Sequence, residues 1–133
     1  VQTPSFLSGA QRLMVGLEKG YHITLMCSEA QPLECHRFAM VSRFFYEHGL
    51  EVLHIVKENV GVLETISIKT HEELQKEMIL EYIKRKKIPT VCPPDMFGEN
   101  ECTPQTQIQL AYRQKNKEIA YHQQELINEE YEL

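Results

Sequence analysis

HITLMCSEAQPLECHRFAMVSRFFYEHGLEVLHIV, residues 22–56, is the stretch whose reading decides the fold. HITLMC (22–27) is short, apolar and β-branched, and lies between Gly20 and a polar SEAQP, so its composition predicts a strand. Pro32 suits the first position of a helix, because its missing N–H has no partner there anyway. Phe38, Val41 and Phe45 then share one face, with Met40 and Phe44 beside them, and Gly49 suits the stop of a helix over about 32–48. EVLHIV (51–56) reads as a second strand. Strand, helix and strand within some 35 residues make a βαβ unit, which predicts parallel strands and a right-handed crossover.

Working outward, PSFLSGAQRLMVGLEKG (4–20) spaces Phe6, Ala10, Leu13 and Leu17 as an amphipathic helix that stops at Gly20. TISIKT (65–70) turns Ile66 and Ile68 inward as a short edge strand, and Thr70 with Glu73 has capping-box spacing for a helix to about 86. Leu74, Met78 and Tyr82 line that helix, and KRKK (84–87) sits at its end, where cations complement the dipole. IPTVCPPDMFGENECTP (88–104) breaks the pattern as a linker or ordered loop. From Thr103 and Pro104 a polar helix is expected to about 129, with a thin apolar strip of Ile108, Tyr112, Ile119 and Leu126 that docks on a body or a partner. The expected fold is a three-layer α/β unit. Residues 1–87 form a small parallel sheet with packed helices, and 88–133 a linker and C-terminal helical extension of the same domain.

Composition narrows the functional classes. The 133 residues make one domain of ordinary hydrophobicity. Starting at Val1 with no charged and apolar leader, the chain reads as a processed or excised piece bearing no secretory signal. No apolar run approaches the ~20 residues that span a bilayer. Fourteen basic against nineteen acidic residues give a net charge of −5, which speaks against a duplex-binding module. Four cysteines (Cys27, Cys35, Cys92, Cys102) are too few for a disulfide scaffold, so free thiols in a reducing cytosol are the default, while the even count leaves disulfides or a metal open.

LMCSEAQPLECHRF (25–38) concentrates the chemistry. If a strand ends at Cys27 and a helix opens around Cys35, His36 and Arg37, the loop Ser28–Gln31 lies where α/β sheets collect ligands. Unpaired helix N–H groups favour an anion there and lower a thiol's pKa. Four readings stay open. In the first, Cys27 faces the core and Arg37 pairs with Glu29 or Glu34. In the second, Ser28, His36 and Arg37 hold an anion. In the third, Cys27 or Cys35 is a nucleophile with Glu29 or His36 as its acid or base, although His36 beside Cys35 points about 100° away around a helix. The fourth gathers Cys27, Cys35 and His36 with Cys92 or Cys102 around zinc, but no CxxC pair is present. His54 reads as a satisfied strand histidine, and the remaining histidines carry no role.

Residues 23–55 resemble the signature region of the bacterial domain-of-unknown-function family 488. The features that carry this are Cys27 and Glu29, Pro32, the Cys35-His36-Arg37 triplet, and Gly49, Glu51, Val52, His54 and Ile55. Gln31 stands where the family has an acid, and the family's amino-terminal half has no counterpart here. The resemblance implies a cytoplasmic bacterial protein in which Cys27, Glu29, Cys35, His36 and Arg37 act together. It names no reaction, and it implies a sheet edge that invites homodimerisation.

Overall fold

The computed structural model describes residues 3–89 and 104–131, with side chains of the last helix as far as Ala120. Helix α1 (Pro4–Glu18) starts where Thr3 accepts the Phe6 N–H at 3.2 Å and ends at Gly20, whose φ of 86° closes the final turn. The paired bonds Gly20 N–H to Leu17 and Tyr21 N–H to Gly16 satisfy the last carbonyls. Residues 21–27 run on without pairing to any strand, so the strand expected over 22–27 does not form.

Pro32 does not head the following helix. It opens a separate 3₁₀ turn, Pro32–Glu34, after which Cys35 is extended (φ −121°, ψ 147°). A π-helical segment (Arg37–Ser42) then leads into α2 (Arg43–Glu47), which ends at Gly49 with φ 82°. Gln31, which stands where the similar family has an acid, donates its side-chain amide to the Lys57 carbonyl at 2.7 Å and ties the loop to the sheet.

The sheet corrects the expected architecture. Its two strands, β1 (Leu53–Val60) and β2 (Leu63–Thr70), are antiparallel neighbours in sequence, in register from Leu53 opposite Thr70 to Val60 opposite Leu63. There is no parallel βαβ sheet among the described residues. The turn is Gly61-Val62, and a positive φ at Gly61 alone (65°) gives a type II′ bend whose twist matches the hairpin. Lys57, Glu58 and Asn59 disguise the outer half of β1 as loop, which is how a local hairpin comes to look like two distant strands.

Alternation along the hairpin sorts its faces. His54 and Val56 point into the core. Leu53, Ile55, Ile66 and Ile68 share the opposite face, where Ile66 is 76% and Ile68 67% exposed, so the two isoleucines expected inward lie outward. Helix α3 (His71–Lys84) follows directly, with the capping box of Thr70 and Glu73 formed in both directions. Its Leu74, Met78 and Tyr82 are buried as the spacing predicts.

Helix α4 (Pro104–Tyr131) lays Ala111 and Tyr112, both fully buried, against α3 and the π-helical segment. Phe38, Ala39, Val56, Leu74, Met78, Tyr82, Ile88, Ala111 and Tyr112 form one cluster. The described part of the α4 strip, Ile108, Tyr112 and Ile119, therefore docks on its own chain, with Lys115 over the Tyr82 ring and Glu118 accepting the Tyr82 hydroxyl at 2.8 Å. Cys92, Cys102 and the acidic residues Asp95, Glu99 and Glu101 lie outside the described residues. Among those described, no helix is long and apolar enough to cross a membrane.

Candidate functional site

Cys27 and Cys35 are joined as a disulfide, with Cα atoms 7.1 Å apart, so the free-thiol default is corrected for this pair. An unpaired stretch, 21–27, is folded back across the start of the helix, and that is what brings the two sulfurs together. Cys35 precedes the helix rather than lying within it. Its sulfur accepts the Arg37 N–H at 3.3 Å and its carbonyl the Phe38 N–H at 3.1 Å, so it caps the turn that the sequence assigned to Pro32. Two of the helix's first N–H groups are thereby occupied, which leaves the bare helix end less to offer an anion than its position in sequence implies.

Arg37 is the central group. One guanidinium nitrogen, Nη1, donates to the Leu25 carbonyl at 3.3 Å and fastens the crossing segment. Among the described residues no carboxylate pairs with it: the ion pairs are elsewhere, and neither Glu29 nor Glu34 takes part in one. The pairing of Arg37 with Glu29 or Glu34 expected in the first of the four readings is absent among the described residues.

Two cavities meet at this arginine. One, of about 420 Å³, is walled by Cys27, Cys35, His36 and Arg37 together with Phe6, Ala10, Leu13 and Phe45. The other, of about 510 Å³, lies between residues 21–25 and the first half of β1 and is walled by Arg37, Ser42, His54, Glu51, His22 and several aliphatic chains. The structure thus brings together four of the expected site residues, Cys27, Cys35, His36 and Arg37. Ser28, which is exposed, and Glu29, half-buried, line neither cavity. Among the described residues no three of His, Cys, Asp and Glu converge as a metal would need. The zinc reading also called on Cys92 or Cys102, which lie outside them.

His54, expected as a satisfied strand histidine, belongs to a second polar cluster whose other members the sequence does not single out. His54 Nε2 lies 3.0 Å from His71 Nδ1, His71 Nε2 lies 2.7 Å from the Tyr112 hydroxyl, and that hydroxyl donates to Gln75 Oε1 at 3.0 Å. Phe38 stacks on the His71 ring with centroids 4.6 Å apart, and Arg43 sits 4.1 Å over the Tyr112 ring. Burial, with the nearby Arg37 charge, pushes the His54 pKa down to about 4. Burial, then His54 and Arg43, pushes His71 down to about 3. Both rings are neutral at ordinary pH. The signal was present in the sequence, since His54 alternates with Val56 on the inward face of β1 and His71 directly follows the Thr70 cap. What linear spacing does not reveal is that Tyr112, 41 residues on, completes the chain.

The chain matches no family model, no curated protein and no solved structure.

Proposed function

We propose that the chain binds a small anionic ligand at Arg37, where the two cavities meet, with the Cys27–Cys35 pair and His36 on the adjoining wall. The observation that carries this reading is a half-buried guanidinium that lines both cavities and has no carboxylate partner among the described residues. A guanidinium offers five N–H donors in a fork suited to oxyanions, and Arg37 commits one nitrogen to Leu25. The apolar walls would cover the rest of a ligand while excluding water, which strengthens the charge interaction. When the disulfide is reduced, Cys35 is the thiol the geometry favours for chemistry, because the Arg37 N–H aimed at its sulfur stabilises a thiolate. The resemblance of residues 23–55 to family 488 agrees with a joint role for these residues, and with a bacterial, cytoplasmic protein.

Thermal unfolding in the presence of inorganic phosphate or a nucleoside monophosphate tests the assignment. The wild type is expected to gain several degrees at saturating ligand, and Arg37→Met to gain none. Equal ligand-independent melting of both proteins removes the proposal.

Self-association is a second reading, favoured by the apolar outer face of the hairpin. Leu53, Ile55, Ile66 and Ile68 are all more than half exposed and contiguous there. A monomer mass by light scattering at high concentration, unchanged by Ile66→Glu, would dispose of it.

A further inference from the structure

Hydrogen-bond direction along the buried chain fixes what His54 presents to the ligand. The Tyr112 hydroxyl has one proton and gives it to Gln75 Oε1. It therefore accepts at its other contact, so His71 must carry its proton on Nε2. His71 Nδ1 is then a bare lone pair, and His54 must donate to it from Nε2–H. This leaves His54 Nδ1 as an acceptor with no proton of its own. It has no partner among the described residues, yet it is not sealed in, since Ser67 Oγ alone among those residues is an enclosed side-chain polar atom without a partner. His54 is only 4% exposed, and it lines the larger cavity together with Arg37.

We infer that the ligand of this site carries an acidic O–H beside its negative charge, as a hydrogen phosphate or a phosphate monoester monoanion does. Its charged oxygens face Arg37, and its O–H donates to His54 Nδ1. His71, Tyr112 and Gln75 are positioning residues that hold His54 in the accepting tautomer. The inference rests on the Arg37 reading and sharpens it, because a guanidinium alone accepts any oxyanion of suitable size. A lone pair held in place by three further residues does not. An anion with no proton, such as sulfate, would set an oxygen lone pair against that of Nδ1. Depressed basicity in His54 keeps the lone pair available, since a histidine with a pKa near 4 does not protonate itself at the expense of the ligand. The other titratable groups on this cavity wall, Tyr21, His22 and Glu51, are exposed and keep their contact with water.

Calorimetric titration of the whole chain with inorganic phosphate and with sulfate, at about pH 5.5 where phosphate still holds a proton, tests the inference. The expected result is phosphate binding at least about tenfold tighter than sulfate, the factor that one hydrogen bond to a charged partner supplies. In His54→Gln the preference should collapse while sulfate affinity is retained, which also shows the variant to be folded. If that variant does not fold, nitrogen-15 spectra of the wild type decide instead. His54 Nδ1 should show the shift of an unprotonated nitrogen, and it should move on adding phosphate but not sulfate. Equal affinity for the two anions, a preference that survives His54→Gln, or a protonated Nδ1 overturns the inference and leaves Arg37 as a plain anion site. Binding of neither anion sinks both.

Discussion

The two sides of this molecule are built differently. Around α3 and α4, residues far apart in sequence meet in one cluster, and a run of buried side-chain hydrogen bonds crosses it: His54 with His71, His71 with Tyr112, Tyr112 with Gln75, Tyr82 with Glu118. Around α1, the 21–27 segment and the outer face of the hairpin, contacts are sparse and aliphatic side chains stand in the open. Arg37 lies on the open side, in the wall of both cavities, while His54 reaches that side from the closed one. Stability and recognition are thereby separated: the packed side holds the shape, and the loosely covered side leaves room for a guest.

The largest expected effect falls on the packed side. Tyr112→Ala removes a fully buried ring that touches Phe38 and Arg43 and strands the His71 N–H. A loss of about 3–5 kcal/mol in urea unfolding is expected. A loss below about 1 kcal/mol would mean that α4 is dispensable and that the contrast fails.

Acid should come next. Both histidines have folded-state pKa values, about 4 and about 3, below the ordinary 6.5. Between those values the unfolded chain binds protons that the folded chain refuses. Stability is therefore complete above about pH 6.5 and falls as pH drops towards 4 and then 3, at up to about 1.4 kcal/mol per pH unit for each histidine. Denaturation midpoints measured between pH 7 and 4 check this. A His54→Gln, His71→Gln double variant should lose most of the slope if it folds.

Smaller effects sharpen the comparison. Lys86, with φ 55°, is the one non-glycine residue in the left-handed region among those described, and it closes α3 through the bonds Lys86 N–H to Ile83 and Lys87 N–H to Tyr82. Lys86→Gly should raise stability by about 0.5–1 kcal/mol in thermal unfolding by relieving that conformation. On the open side, Ile66→Thr should change stability by less than about 0.5 kcal/mol, since its side chain is already largely in water. A loss of 2 kcal/mol or more at Ile66 would show that this face is covered in solution.

What the sequence made legible follows from the range of the interactions involved. Helix ends set by a local cap or glycine (Thr70 with Glu73, Gly20, Gly49) stand where their spacing places them, and so do Leu74, Met78 and Tyr82 on the buried face of α3. The sheet was misread because strand pairing is settled by partners rather than by composition. HITLMC has the apolar, β-branched character of a strand but no neighbour to bond with, and the Gly61-Val62 bend lies between the apolar Val60 and Leu63, without the polar residues that usually mark a turn. Around the site, the meeting of Cys27, Cys35, His36 and Arg37 followed from their closeness in sequence. The capping role of Cys35 and the His54–His71–Tyr112 chain depended on contacts that no linear spacing encodes.

Anion binding at this site depends on the guanidinium donors of Arg37 that no described residue occupies. A two-dimensional proton–nitrogen titration of the guanidinium of Arg37 with inorganic phosphate measures this directly. Saturable movement and slowed exchange of its N–H signals, with the guanidinium signals of Arg43 undisturbed, is the predicted outcome. Signals that stay fixed up to tens of millimolar phosphate, or that move equally at both arginines as ionic strength rises, contradict it.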